Sequence, residues 1–447
     1  MGEPTGSAAS DAASTAITAV WRRESVRLIA ALTRMTRDVG LAEDLAQDAL
    51  VAALEQWPRD GVPDSPAAWL MTTAKRRAVD HFRRAATLRR RTDELGNALE
   101  EIDVPDLDAQ VDHIEDDVLR LMFLCCHPTL TPDSRAALTL RLVGGLTTVE
   151  IARGFLVAET SMGQRISRAK RTLADAGASL DLPTGAERLQ RLDDVLAVIY
   201  LVFNEGYAAT AGADWTRPDL CHEAIRLSRI LAGLVPGEPE VHGLQALLEL
   251  QASRLHARVD GRGEPVLLED QDRRRWDLLL IRRGQGALSR ADQLAANGRP
   301  VGRYYLQAAI AAEHARTARA EDTDWPAIAQ LYDVLASSAP GPVVEVNRAV
   351  AHGRAFGPEA GLVVLDEIAV DALAGSPMVP AVRGDLLARL GRSADAAQAF
   401  RAAAEVSAND GERRLLSGRA EEVESRMSKA DRSVRRTDDS GSTQEEP

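Results

Sequence analysis

The stretch LTTVEIARGFLVAETSMGQRISRAKR, from Leu146 to Arg171, has the pattern of a helix-turn-helix. Thr148 to Arg153 suits a short first helix, Gly154 and Phe155 fall at the turn, and Ala158 to Leu173 suits a second helix. The second helix would turn an apolar side toward the first and a polar, basic side toward solvent. A helix that lies in the major groove of DNA needs this combination of an apolar back and a basic front.

Both faces of the second helix follow from residue spacing. The apolar positions are Met162, Ile166, Ala169 and Leu173, and the polar front carries Ser161, Gln164, Arg168 and Arg171. Basic side chains bind phosphates, whereas Gln and Arg can read base edges at roughly 1–3 kcal/mol of discrimination per bidentate contact. An ordinary amphipathic surface hairpin has the same pattern, so the choice depends on the rest of the chain.

Composition predicts an all-helical protein with local basic patches. Aromatic residues make up only 4% of the chain, and segments rich in β-branched residues are nearly absent, which argues against strands. A net charge of −13 excludes nucleic-acid binding over the whole surface. The charge is segregated, since Lys75 to Arg91 holds eight basic residues and Thr92 to Asp117 holds eleven acidic ones with no Lys or Arg. A protein of this kind can bind DNA where its basic patches lie.

Cysteine usage and hydropathy favour a cytoplasmic protein that does not enter a membrane. Cys125, Cys126 and Cys221 match neither a zinc motif nor a disulfide framework, so we expect small core residues in a reducing compartment. The N-terminus lacks a signal peptide, and the longest apolar segment, Val195 to Phe203, is too short to span a bilayer.

The segment LAEDLAQDALVAALEQW, Leu41 to Trp57, predicts a helix with an apolar face and an acidic stripe. The stripe consists of Asp44, Asp48, Val51 and Glu55. It could be a solvated face or a surface that docks on a basic partner.

The segment SPAAWLMTTAKRRAVDHFRR, Ser65 to Arg84, predicts a helix that starts at Pro66. Its outer face carries Trp69, Thr73, Arg76, Asp80 and Arg83. A Trp beside a row of cations suits the stacking of single-stranded bases, although Trp69 could instead be tucked into the core.

These three segments, in this order and joined by an acidic linker, resemble the sigma-70 family of bacterial RNA polymerase sigma factors, in its extracytoplasmic-function (ECF) group. Leu41–Trp57 is similar to the segment that binds core polymerase, and Ser65–Arg84 to the segment that melts and reads the −10 element. Leu138–Leu173 is similar to the domain that reads the −35 element. Two positions depart from the usual pattern: Leu156 stands at the turn, where the family has Gly, and Gly163 lies inside the recognition helix.

The resemblance, taken with the faces described above, implies three sets of site residues. Core polymerase would contact Asp44, Gln47, Asp48, Val51 and Glu55. The −10 element would contact Trp69, Thr73, Lys75, Arg76, Arg77, Arg83 and Arg84. The −35 element would contact Ser161, Gln164, Arg165, Arg168, Lys170 and Arg171.

The chain continues far beyond these segments, and its second half predicts helical repeats. Gly384, Leu387, Gly391, Ala396, Phe400 and Ala403 match the spacing of a tetratricopeptide repeat, with looser copies at Asn347–Ile368 and Trp325–Ser337. Stacked repeats leave a groove suited to a peptide, a protein or another segment of the chain. Together with NEGYAA, LEDQDRRRWD and AEDTDWPAIAQLYD, this layout resembles the ECF sub-group in which a long C-terminal extension controls activity.

The predicted organisation has seven parts. They are a disordered N-terminus (1–15), a sigma region 2 domain (16–91), the acidic linker (92–117), a sigma region 4 helix-turn-helix domain (118–178), a helical extension (185–290), TPR-like repeats (300–425) and a disordered tail (427–447).

Binding, without chemistry, is the function that the sequence predicts. Val266 to Ile281 is dense in Asp, Glu and Arg, but no His or Cys stands at ligand spacing and the arginines offer ion-pair partners, so we expect no catalytic residue, no metal and no cofactor. A DNA-binding regulator that never contacts polymerase would not explain Leu41–Trp57 or the Trp69 face. A repeat scaffold or enzyme with a vestigial DNA-binding part is a further alternative. The leading interpretation is a sigma factor that binds core polymerase and promoter DNA.

Overall fold

The computed structural model describes residues 5–93, 114–155, 157–178, 180, 185–207, 216–368, 373 and 375–440. Within this part of the chain the regular structure is helical, with one isolated β-bridge between Val259 and Pro265. The all-α prediction is therefore confirmed. No helix among these residues is both long and apolar enough to cross a membrane. The chain divides into two compact units, Met1–Leu201 (unit 1) and Val202–Pro447 (unit 2).

Within the described residues, unit 1 has seven helices and the first part of an eighth. They are α1 (Thr5–Thr36), α2 (Val39–Asp60), α3 (Pro66–Asp93), α4 (Ile114–Cys125), α5 (Pro132–Leu142), α6 (Thr148–Gly154), α7 (Glu159–Asp175) and α8 (Gly185–Tyr207). Helix α1 packs against α2, α3 and α4, whereas α5 and α6 pack against α7. We call α1–α3 the first module and α4–α7 the second module.

The helix ends differ from the sequence prediction in two places. Helix α1 begins at Thr5 instead of near Ala16, because the segment after Gly6 is rich in Ala, the strongest helix former. Helix α4 begins at Ile114, so the last acids of the predicted linker lie in a helix, where Asp117 is buried and pairs with Arg34 of α1 at 3.4 Å. The rest of the linker, 94–113, lies outside the described residues.

The helix-turn-helix has the predicted course. Thr147 caps α6, and its side chain and that of Glu150 bond reciprocally to each other's backbone N–H groups. On α7 the predicted apolar stripe of Met162, Ile166, Ala169 and Leu173 is buried. The turn position Leu156 lies outside the described residues.

Unit 2 is a row of helices in which most neighbours along the chain pack together. They are α9 (Pro218–Leu234), α10 (Pro239–Ala252), α11 (Leu278–Ala296), α12 (Arg303–Arg316), α13 (Trp325–Ser338), α14 (Pro342–Ala355), α15 (Pro358–Asp366), α16 (Met378–Arg389), α17 (Ser393–Val406) and α18 (Asp410–Ser440). Helix α10 packs against α9, α11 and α12, and from α12 onward each helix packs on the next. This arrangement is the one-dimensional stacking of a repeat protein.

The predicted tetratricopeptide pair coincides with α16 and α17. Gly384 lies so close to Phe400 that an added Cβ would come within 2.8 Å of its ring, and Gly391 has a φ of +74° between the helices. Phe400, Ala396 and Ala403 are fully buried in the same cluster as Leu387. A small residue at the crossing and a large one opposite it therefore set this helix pair. Helix α18 runs on to Ser440, past the point where the sequence predicted disorder.

Candidate nucleic-acid and polymerase interfaces

Helix α2 starts abruptly because Asp38 caps it, accepting hydrogen bonds from the N–H groups of Gly40 and Leu41 at 2.7 and 3.1 Å. The outer side of α2 has an acidic rim around an apolar centre. Its exposed residues are Asp44, Asp48, Val51, Leu54 and Glu55. Val51 and Leu54 are large apolar side chains left in solvent, at 49% and 47% exposure. Leu54 is not among the residues that the sequence assigned to this surface, yet it widens the apolar part of it.

Glu43, one position before Asp44, has a different role. It is 3% exposed and belongs to the first module, but two cations of the second module reach it. Arg141 Nε donates to Glu43 Oε1 at 2.6 Å, and Lys170 forms an ion pair with Glu43 Oε2. Gln47 donates to the same carboxylate from its own helix at 2.8 Å. A buried carboxylate is stable only when it is paired and hydrogen-bonded, so this cluster joins the two modules.

Helix α3 carries a groove of about 440 Å³, lined by Met71, Thr72, Lys75, Arg76, Val79, Asp80 and Arg83. The groove brings together three of the cations that the sequence assigned to the −10 element. Thr72 also lines it and was missed, although its spacing of three and four residues from Lys75 and Arg76 places it on the same face. Arg84 is exposed, and Arg77 pairs with Asp48 of α2 at 3.1 Å. The site is a cationic surface with apolar walls.

Trp69 is half-buried, so it is neither a fully exposed stacking platform nor a core residue, the two interpretations that the sequence left open. Its ring meets the buried ring of Trp57 edge-on, with the centroids 5.5 Å apart and the planes at 71°. Edge-to-face packing fixes the orientation of the ring while part of it stays exposed. Thr73, one turn later, is also half-buried and does not line the groove.

On α7 the predicted polar front is exposed. Ser161, Gln164, Arg168 and Arg171 are solvent-accessible. The Arg168 guanidinium donates to Gln164 Oε1 at 3.1 Å, so the two candidate base-reading side chains are held side by side. Such pre-alignment lowers the conformational entropy lost on binding.

Two other residues assigned to the −35 element are engaged inside unit 1. Arg165 forms an ion pair with Asp133 of α5 at 3.4 Å, and Lys170 is held by Glu43. Lys170 points toward the first module, with its Cδ only 3.9 Å from where a Cβ on Gly40 would lie. In this conformation four of the six residues predicted to contact the −35 element lie together on the exposed face of α7.

Gly163 gives a prediction about the stability of the recognition helix. It lies inside α7, and an added Cβ would sit 3.8 Å from Thr148 Cγ2, an ordinary contact. Gly163→Ala should therefore stabilise the fold by about 1 kcal/mol, the helix-propensity difference, and raise the melting temperature of unit 1 by roughly 2–4 °C in calorimetry. Gly384→Ala in unit 2 is a control that should lower the melting temperature of that unit, because the added Cβ would collide with Phe400. A lowered melting temperature for Gly163→Ala would contradict the α6–α7 packing.

The cysteines are core residues, as the sequence predicts. Cys125 and Cys126 are free and buried in the second module, and Cys221 is free and buried in unit 2. Burial raises the pKa of Cys125 well above its usual value, and burial raises the pKa values of Cys126 and Cys221 to about 12. These thiols stay protonated at neutral pH, so they do not act as nucleophiles there.

The charged segment Val266–Ile281 forms two short 3-10 turns before α11, Leu268–Asp270 and Arg273–Arg275. Within it Arg274 donates to both carboxylate oxygens of Asp272, which lowers the pKa of Asp272 to about 2. Glu205, the acid of the NEGYAA motif, pairs with Arg217. Among the described residues no three His, Cys, Asp or Glu side chains are grouped so that they could hold a metal ion.

Comparisons with known proteins agree with the two modules and extend to unit 2. Residues 20–87 match the family described as Sigma-70 region 2, and residues 120–173 match Sigma-70 region 4. Residues 191–292 match a family of unknown function, DUF6596. No solved structure matches.

One relative covers most of the chain, and others cover its first part. An uncharacterised protein of Rhizobium meliloti is 45% identical over 388 residues, covering 86% of this chain and 90% of its own. SigK of Mycobacterium sp. strain KMS, an ECF RNA polymerase sigma factor, is 33% identical over 145 residues, which is 31% of this chain and 70% of SigK. SigI of Mycobacterium tuberculosis H37Rv, named a probable ECF RNA polymerase sigma factor, is 28% identical over 36% of this chain and 55% of its own.

Sigma factors act by binding and not by catalysis, which agrees with surfaces built from an acidic helix, a cationic groove and an exposed recognition helix. The order of the matched regions is the order of the two modules, and SigK is matched over more than two thirds of its length. The chain belongs to the ECF group of the sigma-70 family of RNA polymerase sigma factors.

Proposed function

We propose that this sigma factor directs core polymerase to promoters with −35 and −10 elements through the three surfaces described above, and that unit 2 controls when it does so. Binding to core polymerase and to promoter DNA follows from the family. The observation that supports the assignment of surfaces is the cationic groove on α3 together with the exposed polar face of α7. Since core polymerase acts in the cytoplasm, the protein would work there.

The first module would bind polymerase through α2. Val51 and Leu54 give an apolar centre, and Asp44, Asp48 and Glu55 give an acidic rim. Interfaces of this type gain affinity from the buried centre, while the charged rim sets orientation and association rate. The partner surface would be basic with an apolar patch.

The groove on α3 would hold the −10 element. Lys75, Arg76 and Arg83 would contact phosphates, and Trp69, fixed in orientation by Trp57, would stack on an unpaired base. Base–aromatic stacking contributes about 1–3 kcal/mol per base, enough to favour a separated strand locally.

Arg168 provides a direct test of the recognition face. Arg168→Ala should weaken −35 binding by about 5- to 150-fold, because one bidentate base contact is worth roughly 1–3 kcal/mol. DNase footprinting of the polymerase complex and a gel-shift titration would measure the loss. Arg282→Ala in unit 2 is the control, since Arg282 is also exposed and helical. An unchanged footprint and affinity would exclude Arg168 as a contact.

The conformation described here would not bind both elements at once. The −35 and −10 positions are separated by about 25 base pairs, or about 85 Å of duplex at a rise of about 3.4 Å per pair. Lys170 of the −35 module is nevertheless in direct contact with Glu43 of the first module. We therefore infer that the two modules separate when the protein binds a promoter.

The chain between the modules allows that separation. Residues 94–113 connect α3 to α4, about 20 residues that can span up to about 70 Å when extended. Adding the lengths of the modules gives enough reach for both elements. Separation would free Lys170 for DNA phosphates, as the sequence assignment requires.

The control function of unit 2 is tested by removing it. Helix α8 bonds to the second module, where Arg135 donates to Asp194 at 2.8 Å and Arg191 donates to Phe123 O at 3.1 Å. A chain that ends at Leu201 keeps these bonds, whereas one that ends at Pro183 loses them.

In vitro transcription with purified core polymerase should compare the full chain with both truncations. If unit 2 controls activity, promoter-specific output should change about 5-fold or more in the chain ending at Leu201, the lower end of ordinary coupling between sites. Circular dichroism melting verifies that the truncated chain is folded. Equal output from a folded truncation and the full chain would leave unit 2 without a control function.

A further inference from the structure

Three motifs that the sigma-factor function does not use meet in unit 2. They are the tyrosine of NEGYAA, the arginine and tryptophan of LEDQDRRRWD, and the tryptophan of AEDTDWPAIAQLYD, with α10 ending among them. The Arg254 guanidinium carbon lies 5.9 Å from the Tyr207 ring centroid and 5.8 Å from that of Trp276. Arg273 lies 5.0 Å from the Trp276 ring. Arg254 thus lies near both aromatic rings and Arg273 near one of them, while Arg258 lies 3.7 Å from the Tyr207 ring centroid.

The cluster continues to α12 and α13 through His314. Arg273 donates to His314 O at 2.8 Å and to Thr317 Oγ1 at 2.6 Å, and the His314 ring meets that of Trp325 with the centroids 5.3 Å apart. Burial, with the nearby charges of Arg254 and Arg273, lowers the pKa of His314 to about 3. The imidazole is therefore neutral at neutral pH, and it supplies no negative charge to either arginine.

Neither arginine forms an ion pair with a carboxylate in the described part of the chain, although the negative charges of Asp322 and Glu321 act on Arg273 from a longer distance. Arg254 bonds to the neutral amide of Gln251, and the oxygens that Arg273 contacts belong to backbone carbonyls and threonine hydroxyls. Several other half-buried arginines of the unit are paired with acids, for example Arg229 with Glu249 at 2.7 Å. Burial lowers the pKa of Arg254, which expresses the cost of an uncompensated cation there.

The same cluster contains buried donors that make no hydrogen bond. In the described part of the chain these are the Tyr207 hydroxyl, the Trp276 indole N–H and the Nε atoms of Arg254 and Arg273. His314 Nδ1 is also buried and unbonded. A buried donor without a hydrogen bond destabilises the fold, so several such donors in one place need an explanation. Hydroxyl, indole and guanidinium groups share the ability to donate to an oxyanion.

We propose that Tyr207, Arg254, Arg273, Trp276 and His314 form a binding site for a small organic oxyanion, a carboxylate or a phosphate ester with an apolar body. The guanidinium groups would neutralise the oxyanion, the hydroxyl and indole N–H would donate to it, and the two rings would contact the apolar body. Arginine is the side chain best suited to planar oxyanions. The idea that oxyanion binding at this site regulates the sigma factor rests on the proposed control function of unit 2. The binding of the oxyanion itself does not depend on that function.

Thermal unfolding of the full chain tests binding without polymerase. The probes are phenyl phosphate, benzoate and inorganic phosphate, each compared with sodium chloride at the same ionic strength. A probe at 100 times its Kd should raise the melting temperature of unit 2 by roughly 5 °C or more. A larger effect of phenyl phosphate assigns a phosphate ester, and a larger effect of benzoate assigns a carboxylate. If no probe exceeds sodium chloride, the proposal is overturned.

Variants connect the shift to the cluster. Arg254→Gln should abolish it, and Arg274→Gln is the matched control because Arg274 is exposed and already paired with Asp272. Tyr207→Phe removes only the unbonded hydroxyl, so it should leave the melting temperature of the free chain unchanged or higher while it weakens binding about 10-fold, the value of one charge-assisted hydrogen bond. This variant decides the matter if Arg254→Gln does not fold. If both variants fold and bind the probes with native affinity, the probes bind elsewhere. If Arg254→Gln does not fold, native affinity of Tyr207→Phe alone leads to the same conclusion.

Discussion

Replacing Asp44 and Asp48 together with arginine should abolish association with core polymerase, with an affinity loss of about 100-fold or more. Both side chains are exposed on α2 beside the apolar pair Val51 and Leu54. If the partner surface is basic, the substitution places like charges opposite each other, which costs several kcal/mol, and each 1.4 kcal/mol is about a factor of 10. Fluorescence anisotropy with labelled protein and purified core polymerase measures the change.

Two further variants isolate the cause. Asp48 pairs with Arg77, so Asp44→Arg alone separates loss of docking from disturbance of that ion pair. Glu405→Arg/Glu421→Arg changes the net charge equally on α17 and α18 and should bind polymerase normally. Unchanged anisotropy for the Asp44/Asp48 variant, with a native melting curve, would remove α2 as the docking surface.

Glu43→Ala should weaken the contact between the two modules, which the Arg34–Asp117 ion pair and the packing of α1 on α4 also join. The substitution leaves Arg141 and Lys170 without their shared carboxylate, and removal of one partner from a buried ion pair costs about 3–5 kcal/mol. Both cations are about one fifth exposed, at 22% and 21%, so we expect the low end, about 3 kcal/mol. The free chain should become more extended, and its affinity for −35 DNA should rise because Lys170 becomes available.

Small-angle scattering gives the radius of gyration, and a gel-shift titration gives the affinity for −35 DNA. Glu43→Gln keeps the size and one acceptor oxygen, so its effect should be smaller than that of Glu43→Ala. Glu55→Ala is the matched control, an exposed acid on the same helix. An unchanged radius of gyration together with unchanged DNA affinity would show that Glu43 does not hold the modules together.

Local patterns predicted much of the fold. The steps of three and four along Met162, Ile166, Ala169 and Leu173 define one helix face, and that face is buried. The pairing of Gly384 with Phe400 was accessible for the same reason, because a repeat motif specifies which positions of two helices meet.

Contacts between distant segments were beyond such patterns. Periodicity placed Lys170 near a polar face but could not show that it forms an ion pair with Glu43, which is far away in sequence. Trp69 was assigned to an outer face, and only the packing of α2 on α3 shows that Trp57 covers part of it. Helix α1 begins at Thr5, inside the segment for which the sequence predicts disorder, and alanine favours helix there regardless of local polarity.

The proposed oxyanion site in unit 2 likewise combines motifs visible in the sequence with contacts that only the fold reveals. Its motifs could be read from the sequence as unusual, but Arg254 belongs to none of them, and its place between Tyr207 and Trp276 depends on the end of α10. Charge counting along Val266–Ile281 suggested local ion pairs, which holds for Arg274 and Asp272 and not for Arg273. Sequence neighbours alone do not determine which cation remains unpaired.

The positions of the cysteines allow local opening of the fold to be measured separately in the two units. Cys125 and Cys126 lie inside unit 1 and Cys221 inside unit 2, all three out of reach of solvent. A thiol-alkylating reagent can modify each only while the surrounding structure is transiently open, so the modification rate at each position measures the local opening free energy. Mass spectrometry of the native chain could thus follow the two halves separately, with no engineered label.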